Sequence, residues 1–229
     1  MEYFASQDFD AKVSPQDSMT AAEADFIRKY MGMDPSQALA SVPVIGDDAR
    51  TQPVLAMPGG APRVRAAAPA EASAEEAPIE LSLRAAESVQ LVGFYVGSQL
   101  YALPTLAIQE VIRRQEISQL PMAPCFVSGV INLRGRITPL IRLRALLDMP
   151  AAGQNDERFT IICRCRGLQF GVQIDQLQTM YRVMQPDLNW NAEASVGANV
   201  EFITGLFEVD DKLIPIISID RLVDKVLNA

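Results

Sequence analysis

Two hydrophobic patterns divide the sequence near residue 88. From there onward, short segments rich in Val, Ile, Leu and Phe alternate with Gly, Pro and polar turns, which is typical of an all-β domain. Before residue 88, stretches such as GGAPRVRAAAPAEASAEEAP hold too few large apolar side chains to offset the entropy lost on ordering. The sequence therefore predicts a largely disordered acidic, Ala/Pro-rich tail over residues 1–87 and a folded domain over residues 88–229.

One segment of this tail, DSMTAAEADFIRKYMGMD, has the periodicity of a short amphipathic helix near residues 20–31. Thr20 and Glu23 have the spacing of a capping box, and Gly32 suits the left-handed position after a helix. One helical face carries the apolar side chains Phe26, Ile27, Tyr30 and Met31. Because an isolated helix of this length is marginal in water, we expect it to form when docked, either on its own domain or on another protein.

The folded domain contains an internal repeat. FVSGVINLRGRITPLIRLRALL at residues 126–147 aligns without gaps with FITGLFEVDDKLIPIISIDRLV at residues 202–223. Such a duplication predicts one small barrel built twice. A C-terminal amphipathic helix should follow, because apolar residues recur there at helical spacing. That apolar stripe comprises Ile219, Leu222, Val223, Val226 and Leu227.

The repeat also separates shared positions from singular ones. Arg134 is replaced by Asp210 in the second copy, and Glu110 is replaced by Thr179. Arg134 and Gly135 would form the two-residue tip of a hairpin, where glycine readily adopts positive φ. The arginine either solubilises this turn or faces a partner protein. A pair with Glu110 would stabilise the fold by only about 0 to 1 kcal/mol, which favours an orienting or partner-facing role.

Composition excludes most catalytic chemistry. The 229 residues include no histidine, so histidine-based triads and histidine-ligated metal sites are excluded, and no phosphate-binding loop is recognisable. The cysteines are Cys125, Cys163 and Cys165. The last two alternate onto the apolar face of a predicted strand, which favours core packing over a redox role. We therefore expect a non-enzymatic protein without a metal or a cofactor.

Charge and hydropathy limit the partners and the location. The net charge is −8, and we expect no nucleic-acid partner because phosphate binding needs a basic surplus. No signal-peptide pattern or membrane-length apolar run is present, so we expect a cytoplasmic protein without direct membrane insertion. A ligand-binding barrel is a second interpretation, but Trp190 is better suited to plugging a barrel end than to stacking on a ligand.

Three segments together resemble the CheW-like domain of bacterial chemotaxis coupling proteins: LVGFYVGSQLYALPTLAIQEVI, PMAPCFVSGVINLRGRITPLIRLRALL and EFITGLFEVDDKLIPIISIDRLV. The resemblance covers residues 88–228. It implies two packed five-stranded SH3-like barrels related by internal duplication, with short helices. It also implies a non-enzymatic adaptor that couples chemoreceptor cytoplasmic tips to the regulatory domain of the histidine kinase CheA, in association with membrane-bound receptor arrays.

The resemblance further implies a set of receptor-side residues. In this sequence they fall on Ile108, Glu110, Gly129, Arg134 and Gly135. Two features depart from the family pattern: Arg142 stands where members often carry aspartate, and a minimal coupling protein lacks the long acidic extension. The extension leaves a rival hypothesis open, a recruitment or localisation protein whose tail tethers another component to the receptor array.

Overall fold

Helices and strands are described below for residues 19–45, 78–121, 123–150, 157–190 and 200–228 of a computed structural model. The helices are α1 (Ala21–Met31), α2 (Pro35–Ser41), α3 (Ile79–Ala85), α4 (Leu143–Leu146) and α5 (Ile219–Asn228). The strands are β1 (Val44–Ile45), β2 (Ser88–Val96), β3 (Gln99–Pro104), β4 (Ile108–Arg113), β5 (Val127–Leu133), β6 (Arg136–Arg142), β7 (Phe159–Cys165), β8 (Leu168–Ile174), β9 (Gln176–Met184), β10 (Leu188–Asn189), β11 (Ile203–Val209) and β12 (Lys212–Ile217).

The described strands form two equivalent sheets. Sheet A has the order β1-β5-β6-β8-β7-β4, and sheet B has the order β10-β11-β12-β3-β2-β9. In each sheet two antiparallel hairpins join through one parallel pairing, β6 with β8 in sheet A and β12 with β3 in sheet B. Apart from the two-residue strands β1 and β10, each sheet has five strands, which confirms the predicted pair of five-stranded units.

Each sheet combines strands from both copies of the repeat. Sheet A joins β4, β5 and β6 of the first copy to the β7–β8 hairpin of the second. Sheet B joins β9, β11 and β12 of the second copy to the β2–β3 hairpin of the first. This differs from a simple tandem in which each copy forms its own barrel. The two copies have exchanged their first hairpins, so neither holds all the strands of one unit.

The described residues form three apolar clusters, and the largest of them joins the two sheets. The cluster confined to sheet A consists of Ile112, Ile131, Leu133, Leu140 and Ile162. The cluster of sheet B and α3 includes Leu83, Leu91, Ala102, Phe207 and Ile216. The largest cluster draws side chains from both sheets and from α1, α4 and α5. The contact between the sheets is therefore itself a hydrophobic core, which is consistent with the exchange of hairpins.

The sequence correctly predicts the role of the cysteines in β7. Cys163 and Cys165 are buried in the largest cluster, whereas Cys125 is exposed. Burial raises the pKa of the Cys163 thiol far above its ordinary value, and the neighbouring Cys165 adds to this effect. Because the thiolate is the reactive form, Cys163 acts as a small apolar filler, and Cys165 is buried beside it with its thiol donating to Oδ1 of Asp220 at 3.6 Å.

Trp190 closes one side of sheet B. Its indole packs on the cluster of sheet B and donates a hydrogen bond to Oε1 of Gln185 at 3.0 Å. The guanidinium carbon of Arg84 lies 5.1 Å from the ring centroid. A Cβ atom at Gly205 would lie 3.0 Å from the ring, so glycine at this position allows the close contact. This position matches the predicted plug rather than a stacking platform.

The helix predicted near residues 20–31 is α1, and it is docked on the chain's own domain. Glu23 N donates to Oγ1 of Thr20 at 3.3 Å, and Thr20 N donates to Oε2 of Glu23 at 2.9 Å, which confirms the capping box. Gly32 follows the helix with φ of 63°. The predicted apolar face of α1 lies against the largest cluster. Phe26, Ile27 and Tyr30 are buried in this cluster, and Met31 packs against it. Since this apolar face is covered by its own domain, the structure favours the intramolecular interpretation.

Other parts of the predicted tail also pack on the domain. Strand β1 pairs in parallel with residues 132–133 of β5, and Glu80 N in α3 donates to Oδ2 of Asp220 at 2.9 Å. The remaining tail, residues 1–18 and 46–77, lies outside the described residues. Within the ranges described, no helix has both the length and the apolar character needed to span a membrane.

Candidate partner-binding site at the β5–β6 turn

The β5–β6 hairpin ends in the two-residue turn predicted from the sequence. Arg134 and Gly135 have φ of 53° and 83°, as in the turns whose twist matches that of the flanking strands. Gly135 N donates to Oδ1 of Asn132 at 3.0 Å, which ties the turn to β5. The side chain of Arg134 is 59% exposed. The hairpin therefore presents a guanidinium group to solvent from a fixed turn.

Arg134 forms an ion pair with Glu110. Nη2 of Arg134 lies 3.1 Å from Oε2 of Glu110, whose side chain is only 15% exposed. Glu110 belongs to β4, at the opposite end of the strand order of sheet A from the described strands β1 and β5. The ion pair therefore connects β4 to the β5–β6 turn, and so brings together two opposite parts of the curved sheet A. Because one partner is largely exposed, we expect the pair to add little to stability.

A polar groove of about 420 Å³ lies beside this ion pair. It is lined by Gln109, Glu110, Leu133, Arg134, Arg136 and Gln169. Guanidinium groups donate hydrogen bonds in a fixed fork, and glutamine amides both donate and accept. The groove is therefore suited to carboxylate and amide side chains of a protein partner.

Gly129 supports the site from within β5. Its φ is 145°, and a Cβ atom there would lie 2.4 Å from the carbonyl oxygen of Ser118 and 2.5 Å from Cγ2 of Ile117. The pairing of β5 with β6 shifts register beside it. Gly205, the equivalent residue of the second copy, also stands at a register shift. The local backbone thus accounts for glycine at both positions. Gly129 does not line the groove.

The structure brings some of the predicted site residues together and separates others. Glu110 and Arg134 are in contact, and Gly135 shapes the turn beside them. Ile108 begins β4, where it is partly buried against the largest cluster, and the pairing of β4 with β7 shifts register between Ile108 and Glu110. Ile108 therefore fixes the strand that carries Glu110 and is not a groove residue.

The sequence did not single out Arg136. This residue corresponds to Lys212 in the second copy, so both copies carry a cation there and the comparison of copies gives no singular signal. The sequence also assigned Glu23 to helix capping alone, although its carboxylate reaches Arg136. No local pattern predicts that contact, because the two residues are 113 positions apart.

Comparison with known proteins agrees with this fold. The model of the CheW-like domain matches residues 90–227. The chain is 31% identical to the chemotaxis protein CheW of Helicobacter pylori over 139 residues, which are 61% of this chain and 84% of that protein. It is 26% identical to the CheW protein of Bacillus subtilis, covering 59% of this chain and 87% of that one. The crystal structure of the scaffolding protein TtCheW from Thermoanaerobacter tengcongensis matches with a TM-score of 0.52 and 28% identity, covering 56% and 88% of the two chains.

These matches and the two-sheet fold identify a scaffold or adaptor class of protein rather than an enzyme. The chain belongs to the family with a CheW-like domain, and it is a chemotaxis adaptor. The family match begins at residue 90, after α1, α2, β1 and α3. The contacts of α1, α2 and β1 with the β5–β6 hairpin are therefore features of this chain outside the matched region.

Proposed function

We propose that this protein couples the cytoplasmic tips of chemoreceptors to the regulatory domain of the histidine kinase CheA, within membrane-associated receptor arrays. The observation that carries the proposal is the Arg134–Glu110 pair, which is present in one copy of the repeat and replaced in the other. We expect this pair to add little stability, and it lies beside a polar groove. Its function is then to orient a bound partner.

The groove fits a helical hairpin tip better than a small ligand. It is open, polar and edged by an exposed guanidinium, whereas small-molecule pockets are mostly apolar and enclosed. Glu110 neutralises part of the positive charge, so the site favours a partner surface with both acidic and amide groups. In this arrangement Arg134 and Glu110 contact the receptor, while Gly135, Gly129 and Ile108 hold the backbone that carries them.

Charge reversal at the turn tests the proposal. We expect Arg134→Glu to weaken binding of a soluble receptor hairpin fragment by about tenfold or more, because an attractive contact becomes a repulsive one. The free energy of unfolding should change by less than about 1 kcal/mol, since the side chain is exposed. Isothermal titration calorimetry and urea unfolding measure the two quantities.

The repeat provides a matched control. Asp210→Arg reverses a charge at the equivalent turn of the β11–β12 hairpin, where Asp210 also has positive φ. This variant should bind the receptor fragment normally. Equal affinities for the two variants would contradict the proposal. A Glu110→Arg/Arg134→Glu protein restores the ion pair with its charges exchanged; if it regained full binding, the pair would have a purely internal role.

The recruitment hypothesis receives less support. Its candidate docking helix is α1, whose apolar face is buried against the chain's own domain. Displacing this helix would uncover Phe26 and Ile27, which are 2% and 0% exposed. A second partner would therefore have to replace contacts that the folded domain already makes.

A further inference from the structure

Residues 19–45, called the N-terminal segment below, contact the hairpin that carries Arg134. Strand β1 pairs with residues 132–133 at the end of β5. Asn132, which is 1% exposed, donates from Nδ2 to the carbonyl oxygens of Val42 at 3.2 Å and Leu39 at 3.4 Å. The Oδ1 atom of the same side chain accepts from Gly135 N in the turn. One buried amide thus links the N-terminal segment directly to the tip of the hairpin.

A second link joins α1 to the groove. Nη1 of Arg136 lies 3.1 Å from Oε1 and 3.2 Å from Oε2 of Glu23. Glu23 is buried, and its Oε2 atom also accepts from Thr20 N at 2.9 Å. The cap is itself attached to the turn between β7 and β8, because Oγ1 of Thr20 donates to the carbonyl oxygen of Gly167 at 2.6 Å. The carboxylate is therefore held by the backbone of Thr20, whose side chain is itself anchored, as well as by Arg136.

This arrangement fixes a long, flexible side chain in the groove. Arg136 lines the groove together with Arg134 and Glu110, and its side chain is 24% exposed. A free arginine loses rotamer entropy when a partner orders it, and holding it in advance removes that cost from binding. A buried ion pair is a weak device for stability alone, because removing two charges from water offsets much of their attraction.

We propose that Glu23 is a positioning residue of the receptor-binding groove. The docked helix α1 holds Arg136 in the orientation that meets the receptor tip, and β1 with Asn132 supports the neighbouring turn. The N-terminal segment is in this way part of the site and not a separate tether. This inference rests on the proposed function and adds a partner-facing role for Arg136.

Removing one charge tests the positioning role. Glu23→Gln in the full-length chain keeps a side-chain acceptor for the cap but loses the ionic contact with Arg136. The affinity for the soluble receptor hairpin fragment should fall about 2- to 10-fold, which is the cost of ordering one long side chain on binding. Asp25→Asn removes the same charge from α1 at a side chain that is 75% exposed, and it should leave affinity unchanged.

A double-mutant cycle separates positioning from general stability. In an Arg136→Gln background, Glu23→Gln should cause no further loss of affinity, because its target is gone. A purely structural role would lower the melting temperature and leave the affinity of the folded protein unchanged, and that result would overturn the inference. An equal loss of affinity in both backgrounds would also overturn the inference.

The Arg134→Glu variant distinguishes this inference from the proposed function. If Arg134→Glu also bound the receptor fragment normally, the proposed function would have failed. If Arg134→Glu lost binding and Glu23→Gln did not, only the positioning role would be rejected.

Discussion

Gly129 and Gly135 lie six positions apart in one hairpin but are constrained for different reasons. A Cβ atom at Gly129 would collide with the Ser118 backbone, whereas one at Gly135 would have nothing within 4 Å. Both residues have positive φ. At Gly135 only the backbone conformation favours glycine, while at Gly129 the close approach of a second segment requires it. A site residue inferred from family resemblance can therefore act through the fold without touching a partner.

Alanine at position 129 should destabilise the domain. The side chain adds strain at positive φ, which costs about 1–3 kcal/mol, and the contact of 2.4 Å with Ser118 O forces β5 to move. Chemical denaturation measures the change. Gly135→Asn is the control, because asparagine tolerates the left-handed region and meets open space here; it should cost less than about 1 kcal/mol. Equal losses for the two variants would show that backbone conformation alone governs both positions.

At the scale of elements, α1 is part of the hydrophobic core. The rings of Phe26 and Tyr30 are in tilted contact with centroids 4.8 Å apart, and the hydroxyl of Tyr30 donates to the carbonyl oxygen of Val226 in α5 at 3.2 Å. The helix thus closes the core between the sheets from the side of α5. Its burial also explains why a segment of marginal intrinsic stability forms a complete helix.

Truncating Phe26 tests this role of α1. Phe26→Ala should lower the free energy of unfolding by about 3–5 kcal/mol, as expected for a fully buried aromatic side chain. Met33→Ala, just beyond the same helix at a residue that is 36% exposed, should change it by less than about 0.5 kcal/mol. An unchanged stability for Phe26→Ala would mean that α1 is not held by the domain in solution, and it would restore the hypothesis of a helix offered to another protein.

Local signals account for the elements that the sequence predicts well. The cap and end of α1, the turn at Arg134–Gly135 and the apolar stripe of α5 each depend on residues within a few positions of one another. The docking of α1 does not, because its ion pair and its hydrogen bond to Val226 join residues more than a hundred positions apart. Predicting Arg136 as a groove residue required the same long-range information.

At the scale of the whole molecule, the repeat predicts two units but cannot predict the exchange of hairpins. The hairpins β2–β3 and β7–β8 occupy equivalent places in the two sheets, so β6 and β12 meet similar partners in either arrangement. The apolar pattern of the strands is satisfied both with and without exchange. The exchange makes the two copies interdependent, because each sheet is completed by a hairpin from the other copy.

Dividing the chain between the copies tests this interdependence. Residues 1–152 contain β1–β6 and residues 153–229 contain β7–β12, so each fragment alone lacks a hairpin of a sheet. We expect neither fragment to unfold cooperatively by itself, and an equimolar mixture to recover cooperative unfolding and a defined near-ultraviolet circular dichroism spectrum. In the second fragment Gly171 pairs with Leu140 of β6, and a Cβ atom there would lie 2.6 Å from Cδ2 of Leu140. Gly171→Ala should therefore weaken reassembly of the two fragments. The prediction is contradicted if the isolated first fragment unfolds cooperatively as a monomer, because the first copy would then complete a unit without the exchanged hairpin.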